Sequence, residues 1–566
     1  MALDVIKNYK SLMVDYSFIR QFGGTKIFAE FLDTVKSERL DVYVSKAFKL
    51  LHYCVIHQAD DKTASAAAAM RDFCSMLLPD KLLHSVQVAD TTDFLAKMSL
   101  VNEGCVIMAS KGILMSRIKE KKPVFLGDIC VFEEDGNVTV YHGVEDLLDK
   151  NTDEEISPIA MSDKYLDVPV YCNVGDTVTT EKGARLTLDK RLSAGAEGMV
   201  FTTDNPKVVA KIYHKGIITP LRWKKLQTQV KMGINSIGLC WPKDLLFYRN
   251  IPVGYTMIVG RGKTLSNVFD GPDALLNAIP ECTRLDIVTT LCDLLEKYIY
   301  LHMFGIIAGD IQLKNALIYS PNSLYLIDMD SVQVGNLPCP VGTEEFTDPR
   351  LWGKNFSGFL RKLEDEDYSI AMLVFSILFC GLHPFATRNG AETLREEILE
   401  KNFPYSLSGI SGEHIPKGGY DHIWEYLPDD IKMMLYKTFR GGESYEAVEW
   451  YAAVSAYKDA LSTHAYEDEE AYKAFPKMAY KATDPHPIAK SRFTQPATSE
   501  APSAAGSVSP FKPVSEQNTA SSGPTFTPKT VNKYYIDTTP DTNKKTEEKP
   551  EAKNDGGLLG LFKNRR

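Results

Sequence analysis

The chain has 566 residues, of which 44% are hydrophobic and 24% charged, a composition typical of a globular protein with several domains. Its 64 basic and 74 acidic residues leave a net charge of −10. This balance argues against a general nucleic-acid binder, which would carry a basic surplus. Ten cysteines without a CxxC pair disfavour a disulfide scaffold or a zinc ribbon. Since neither a signal peptide nor a membrane span is predicted, we expect a cytoplasmic protein.

Strands and helices alternate along the first 125 residues, which predicts a small α/β domain with a parallel sheet. The predicted strands are 11–15 and 105–110, and the predicted helices are 28–35, 45–56, 94–101 and 113–118. Residues 126–185 follow as a strand pair with a DGN turn and an acidic linker that leads into the next domain.

Short strands begin near residue 168 and helices dominate from 275, which predicts an α+β arrangement with two lobes over 186–460 and a helical extension at 461–481. The composition changes again near residue 482, where Pro, Ser, Thr and Lys replace the apolar periodicity. Ten of the 29 prolines lie between Pro485 and Pro550. Few apolar residues are present there to offset the entropy of ordering, so we predict a disordered tail over 482–566 with a short amphipathic basic end.

A glycine-rich turn and a strand lysine form the first candidate for phosphate chemistry. Ser193, Gly195 and Gly198 lie between two predicted strands, where backbone N–H groups can approach phosphate oxygens without interference from a Cβ atom. When these glycines are considered alone, a plain hairpin turn is the favoured explanation, because glycine-rich hairpins are common. Lys211 follows in the strand VVAKIY, and its ammonium group is either solvated at a sheet edge or directed at an anion.

Acid and amide side chains border the next predicted hairpin. Asp310 and Asn315 precede its first strand and Asp328 follows its second. Their oxygens would suit Mg²⁺ when substrate phosphates supply the remaining ligands. Ordinary turn chemistry is the alternative, because Asp and Asn favour turns. The ordered series of glycine loop, strand lysine, D-x4-N and a further aspartate is much less expected by chance.

Residues 186–460 resemble the catalytic domain of protein kinases. LSAGAEGMV is similar to the family's GxGxxGxV loop, VVAKIY to its VAIK strand, AGDIQLKN to HRDxxxxN and DMD to DFG. Asp367 resembles the aspartate that begins the buried helix behind the catalytic loop. The pattern is similar to a bacterial kinase-like group that is often found with metal-dependent phosphatases and tellurite-resistance-type partners.

The resemblance implies a bilobal fold, ATP and Mg²⁺ as cofactors, and transfer of a phosphoryl group to a protein Ser or Thr. A protein substrate is favoured because 331–349 is long enough for a peptide-docking segment. The resemblance implies that Asp310 and Lys314 are catalytic and that Asn315 and Asp328 are metal ligands. The nucleotide-binding residues that it implies are Ser193, Gly195, Gly198, Val200, Lys211 and Met257.

Departures from the kinase pattern keep two alternatives open. Ala308-Gly309 replaces His-Arg, which removes the arginine that pairs with a phosphorylated activation loop. The helix that should supply a glutamate for Lys211 offers Gln227 and Gln229. A pseudokinase scaffold that binds nucleotide without transfer therefore remains open. A small-molecule phosphotransferase also remains open, because those enzymes share a glycine immediately before the catalytic aspartate.

The first 125 residues resemble a PIN-like nuclease domain. LMVDYSFI is similar to that family's first strand and acid, with Asp15, and Asp93 matches a second acid. However, Lys111 stands where an acid is expected, and Lys49 lies near the place of a glutamate. Two-metal nuclease chemistry needs clustered carboxylates, and a lysine would repel the cations. We therefore predict a non-catalytic binding domain.

The tail contains a candidate phosphorylation site. A phosphate on Thr538 would lie three residues before Asp541, a spacing similar to that read by phosphothreonine-binding modules. The hypothesis is that the kinase phosphorylates its own tail, which then recruits a phosphothreonine-binding partner or a phosphatase. The alternative is that these threonines are polar linker residues.

Overall fold

A computed structural model describes most of the chain up to residue 477, and residues 1–496 form one compact unit. The described ranges are 2–45, 61–86, 95, 104–110, 112–150, 172–234, 236–388, 390–407, 409–410, 414–418 and 421–477. Several sequence predictions lie outside them: the helix 45–56 apart from its first residue, most of the helix 94–101, the PIN-like matches Lys49, Asp93 and Lys111, and the tail with Thr538.

A six-stranded sheet forms the first part of the protein, in the order β3-β2-β1-β4-β5-β6. Strands β1 to β5 are parallel, and β6 pairs antiparallel with β5. The strands are β1 Ser11–Val14, β2 Asp41–Ser45, β3 Leu83–Val86, β4 Gly104–Ala109, β5 Asp128–Phe132 and β6 Val138–His142. The core strands β1 and β4 are apolar on both faces, as expected for a parallel sheet that helices cover.

Five helices accompany this sheet among the described residues: α1 Tyr16–Phe22, α2 Lys26–Ser37, α3 Asp61–Leu77, α4 Ile113–Lys121 and α5 Gly143–Lys150. The predicted strands at 11–15 and 105–110 and the predicted helices at 28–35 and 113–118 are therefore present. The acidic stretch that was predicted as a linker begins as helix α5, because Val144 and Leu147 are buried and hold it in the core beside β5.

A closed barrel follows, with the strand order β10-β12-β11-β7-β8-β9. Its strands are β7 Thr177–Thr180, β8 Arg185–Ala194, β9 Gly198–Thr203, β10 Val208–Tyr213, β11 Asp244–Tyr248 and β12 Ile251–Ile258. Helix α6, Pro220–Met232, begins with a Thr219 cap and ends at Gly233 in the left-handed region. Trp223 of α6 packs edge-on against Phe247 of β11, which fixes the helix against the barrel.

The remaining residues form a mainly helical part around two buried helices, α9 and α10. Its helices are α7 Leu265–Val268, α8 Pro272–Ala278, α9 Arg284–Met303, α10 Glu364–Leu378, α11 Leu394–Leu399, α12 Asp421–Tyr426, α13 Asp429–Tyr436 and α14 Ala447–Ser462. Its short strands are β13 Lys263–Thr264, β14 Ile306–Ile307, β15 Ala316–Ser320, β16 Ser323–Leu326, β17 Gln333–Val334, β18 Tyr405–Ser406 and β19 Gly409–Ile410. Within the described ranges, every helix is too short or too polar to cross a lipid bilayer.

A buried ion cluster joins the sheet to the helical part. The Arg117 guanidinium of α4 donates to Asp367 of α10 at 2.9 and 3.2 Å and also contacts Glu120 and Glu446. All four side chains are at most 7% exposed. Burial raises the pKa of Asp367 to about 7, although the charge of Arg117 opposes this shift. Arg117 comes from the first sheet's helices, whereas Asp367 and Glu446 come from the helical part. Separating the two parts would leave buried charges without compensation, so the stability of each part depends on the other.

Candidate functional site

The glycine-rich turn closes the end of the hairpin between β8 and β9. Ser193 pairs with Val200 across these strands, and the Gly195 N–H donates to the Gly198 carbonyl at 2.9 Å. A Cβ atom at Gly198 would lie 2.4 Å from the Ile212 carbonyl oxygen of β10. Only glycine therefore allows β9 to approach β10 at this point, which is a structural reason for part of the motif.

Lys211 is buried in the barrel wall and forms ion pairs with two aspartates. Its Nζ atom lies 2.8 Å from Asp330 and 3.3 Å from Asp328. Tyr213 and Tyr255 also donate their hydroxyls to Asp330, at 2.5 and 2.8 Å. Burial alone would raise the pKa of Asp330, but Lys211 and the hydroxyl of Tyr213 hold it below its ordinary value. Asp330 is therefore an anion that fixes the lysine.

Sequence reasoning sought the partner of Lys211 on helix α6 and missed Asp330. A signal was present in the second acid of DMD, together with the tyrosines at 213 and 255 on neighbouring strands. Tyr255 stands directly opposite Lys211 in the pairing of β10 with β12. Two hydroxyls beside a buried lysine indicate that a carboxylate lies among them, because a buried charge requires compensation.

Helix α6 contacts the segment after Asp328 through hydrogen bonds to main-chain carbonyls. Gln229 donates to the Met329 carbonyl at 2.6 Å. Lys225 donates to the carbonyls of Ser331 and Pro338 at 3.0 and 2.5 Å. Burial lowers the pKa of Lys225 to about 8. Gln229 thus supports this segment instead of replacing a glutamate, while Gln227 is exposed.

The glycine-rich turn is also tied to helix α6. Glu197, inside the turn, accepts two hydrogen bonds from Arg222 at 2.6 and 2.7 Å. His214 lies 2.9 Å from the Gly195 carbonyl. A bidentate arginine–carboxylate pair fixes orientation as well as distance. The turn, α6 and the Asp328–Ser331 segment therefore form one connected assembly around Lys211.

Asp310 and Asn315 lie together on the loop between β14 and β15. One carboxylate oxygen of Asp310 accepts from the Asn315 amide at 2.9 Å and from Gln312 at 2.8 Å. The other accepts from the Thr343 hydroxyl at 2.8 Å. Lys314 is exposed in the short 3-10 turn Leu313–Asn315. The loop thus presents a carboxylate that already binds an alcohol group.

Asp328 lies two residues after the end of β16 in the left-handed region, with φ of 57°, and its side chain is 57% exposed. The Ile327 N–H donates to the Asn315 carbonyl at 3.0 Å, which links this strand end to the Asp310 loop. No group of three or more His, Cys, Asp or Glu side chains forms a metal site within the described ranges. Asp328 and Asn315 could hold a cation whose other ligands are phosphate oxygens and water, as Mg²⁺ accepts.

Met257 is the remaining nucleotide-binding candidate. It lies in β12 opposite Val209 and is buried in the barrel core. Ile258 ends the strand and leads into the segment that joins the barrel to the helical part. The position is compatible both with a pocket wall beside a nucleotide base and with ordinary core packing.

The Asp310 loop is held from behind by Arg361 and Glu366. Gly309 has φ of 77°, and a Cβ atom there would lie 2.5 Å from the Arg361 guanidinium. Arg361 donates to the carbonyls of Gly309 and Val341. Glu366 accepts from the Gly309 N–H at 2.6 Å and lies 2.8 Å from His302. An arginine from outside the motif therefore contacts the loop from which the usual arginine is missing.

Helix α10 begins at Glu364, so Asp367, which the resemblance placed at the start of this helix, lies within its first turn. Glu366 makes the contact with the Asp310 loop, whereas Asp367 pairs with Arg117 from the first sheet. Adjacent positions on a helix face different directions, so one acid reaches the loop and the other reaches helix α4.

Comparison with known proteins supports a kinase-like sequence. No protein-family model matches the chain. Protein kinase YegI of Escherichia coli strain K12 is 28% identical over 305 residues, which cover 50% of this chain and 46% of that protein. Protein kinase YegI of Escherichia coli O157:H7 is 27% identical over 280 residues, covering 46% and 43%. The chain thus spans about half the length of the curated relatives it matches, and about half of it is similar to proteins named as protein kinases.

Proposed function

We propose that this protein is an ATP- and Mg²⁺-dependent protein kinase, with the barrel and the helical part as the two lobes of a protein-kinase-like fold. The observation that carries the proposal is the buried Lys211 beside an exposed Asp328, with Asp310 and Asn315 on the adjoining loop. This arrangement combines a fixed cation for phosphate, oxygen ligands for a metal and a carboxylate that accepts a hydrogen bond from an alcohol group. Phosphoryl transfer needs these three components in one cleft.

Each of these side chains has a role in the proposal. The N–H groups between Gly195 and Gly198 cover the phosphates, and Lys211 holds them. Asn315 and Asp328 hold Mg²⁺, which neutralises phosphate charge when it is bound. Asp310 orients the attacking hydroxyl and accepts its proton.

The Thr343 hydroxyl supports an alcohol as the acceptor. It donates to Asp310 at 2.8 Å, so an aliphatic hydroxyl fits against this carboxylate. A serine or threonine of a protein substrate would present the same group. Thr538 of the chain's own tail is one candidate acceptor, and its phosphate would recruit a phosphothreonine-binding partner or a phosphatase.

Radiolabel transfer from Mg·ATP to the full-length protein and to a generic protein substrate tests the proposal. We expect labelled Ser or Thr, and no label with Asp310→Asn. Calorimetric binding of Mg·ATP without transfer would instead indicate a pseudokinase scaffold. Label that appears on small hydroxyl compounds but not on protein would indicate a small-molecule phosphotransferase. The pseudokinase hypothesis was motivated by the missing glutamate partner of Lys211. The ion pair between Lys211 and Asp330 weakens it, because the lysine has another anionic partner.

Asp330→Asn is expected to lower kcat/KM for ATP by about 100-fold, a typical effect of losing one preorganised electrostatic contact in an active site. Without the Asp330 charge, Lys211 is attracted to Asp328 alone and competes with the metal for that carboxylate. Steady-state kinetics measure the effect, and thermal unfolding checks that the protein stays folded. Asp189→Asn, an exposed change on β8, is the matched control. Wild-type kinetics in a folded Asp330→Asn protein would remove Asp330 from the proposed site.

The first sheet is proposed to be a PIN-like domain that binds without cleaving. Asp15 caps helix α1 by accepting the Ser17 N–H at 3.0 Å, so this carboxylate has a structural task. We expect the full-length protein to show no manganese-dependent cleavage of RNA, because Lys111 replaces an expected acid. A gel assay with labelled single-stranded RNA measures this. Cleavage that disappears in Asp15→Ala would contradict the prediction.

A further inference from the structure

A cavity of about 1010 Å³ lies between the first sheet and the ends of helices α6 and α9. Asp15 and Ser110 line it from the carboxyl ends of β1 and β4. Lys231 lines it from the end of α6, and His302 and Phe304 from the end of α9. Its described lining includes none of the residues assigned to ATP, Mg²⁺ or catalysis, so it is separate from the candidate kinase site. Its volume is at the upper end of the range for small-molecule sites.

The cavity stands where the strand order of the parallel sheet reverses. Strand β1 pairs with β2 on one side and with β4 on the other. Open α/β sheets bind ligands at this switch point, outside the carboxyl ends of the strands. Helix α4 starts here at Gly112, without a side-chain cap and without an acid in its first turn. A Cβ atom at Gly112 would lie 2.4 Å from Ser17, so glycine is needed for this close approach.

The charges around the cavity favour an anion. Three basic side chains, Arg20, Lys119 and Lys231, line it against two acids, Asp15 and Glu134. Burial raises the pKa of Asp15, although the hydrogen bonds from Ser17 oppose this shift. The first N–H groups of α4 add partial positive charge at the same edge.

Polar groups for the rest of a ligand are also present. Ser17, Ser110 and Ser116 bring hydroxyls to the lining. The Gln21 amide nitrogen is buried and finds no acceptor within the part of the chain that the structure describes. A buried donor without a partner is costly, which points to an acceptor supplied by a ligand. A phosphate group alone would fill only a small fraction of the volume.

We propose that this cavity binds a ribonucleoside monophosphate. The phosphate lies against the basic side chains and the start of α4, and the ribose and base contact the serine hydroxyls and Gln21. This function is separate from phosphoryl transfer and uses the first sheet as an effector-binding domain.

The cavity wall connects to the Asp310 loop. His302 lines the cavity and lies 2.8 Å from Glu366, which accepts the N–H of Gly309 just before Asp310. Helix α4 lines the cavity with Ser116, while Arg117 binds the start of α10. A bound nucleotide therefore alters the loop that carries the proposed catalytic carboxylate. This regulatory part rests on the proposed kinase function, whereas the binding itself does not.

Titration calorimetry of the full-length protein with AMP, GMP, CMP and UMP tests the site, with inorganic phosphate and the unphosphorylated nucleosides as comparisons. We expect one monophosphate to bind with a stoichiometry of one, and its nucleoside to bind at least about tenfold more weakly, equivalent to about 1.4 kcal/mol. Lys211→Met, in the ATP cleft, should leave this binding unchanged. Ser116→Trp, which places a large side chain in the cavity, and Lys231→Glu should each weaken it at least about tenfold. Lys224→Glu, on the outer side of the same helix, is the matched control.

Several outcomes would overturn the site. These are the absence of binding at millimolar concentration, equal binding of the nucleoside, or binding that is lost in Lys211→Met and kept in Ser116→Trp. Hydrogen exchange of residues 302–315 with and without the nucleotide tests the coupling, and unchanged exchange despite binding would overturn that part. These readouts need no phosphoryl transfer, so failure of the kinase proposal and failure of this site are distinguishable.

Discussion

Asp328→Asn is expected to abolish phosphoryl transfer while the protein stays folded. The Asp328 side chain is 57% exposed, so its neutralisation costs the fold little. Its charge is nevertheless needed to hold the cation that bridges the phosphates, and the loss of such a contact lowers the rate by about 1000-fold or more. Radiolabel transfer to a generic protein substrate measures the rate, and thermal unfolding measures the stability.

The control for this change is Asp273→Asn, an exposed aspartate in the first turn of α8 and outside the proposed site. It should transfer phosphate at the wild-type rate. If Asp328→Asn also transfers at that rate, the interpretation of DMD as a metal-binding motif is wrong. Normal Mg·ATP binding by Asp328→Asn would equally remove this residue from the metal site.

Arg117→Ala is expected to destabilise the whole protein by about 3–5 kcal/mol, the range for breaking a buried ion pair. Arg117 is the cation among Glu120, Asp367 and Glu446, and its removal leaves three buried carboxylates close together. Urea unfolding of the full-length protein, followed by circular dichroism, measures the loss. Because Asp367 lies in the first turn of α10, beside the Glu366 contact with the Asp310 loop, transfer should fall as well.

Arg395→Ala is the matched control, because Arg395 pairs with Glu344 at the surface, where both side chains are more than half exposed. Exposed pairs of this kind contribute about 0–1 kcal/mol. An equal effect of the two substitutions would show that the Arg117 cluster does not join the two parts.

The pH dependence provides a second readout of the same cluster. Because the pKa of Asp367 is raised to about 7 in the folded protein, its deprotonation opposes folding. The contribution of this group to stability is therefore greatest below its unfolded pKa, near 4. It is lost progressively as the pH rises through about 7. Unfolding curves at several pH values should follow this trend.

Local patterns in the sequence were sufficient to predict many elements. The alternation of apolar segments predicted β1, β4, α2 and α4, because side-chain periodicity is a property of neighbouring residues. The spacing of Asp310 and Asn315 predicted their contact, since only four residues of one loop lie between them. The hairpin that carries Asp328 was predicted from two short apolar strands and a turn. These features depend on short-range geometry.

The partners of charged groups were decided by the tertiary structure. Lys211 pairs with Asp330 across 119 residues, and Arg117 pairs with Asp367 across 250. Which of Glu366 and Asp367 reaches the Asp310 loop depends on how α10 is rotated against α4. A buried charge is compensated by whichever opposite charge the folded chain brings to it, and sequence spacing carries no information about that distance. The sequence alone therefore proposed the chemical groups of the candidate site, whereas their pairing followed from the packing of the sheet, the barrel and the helices.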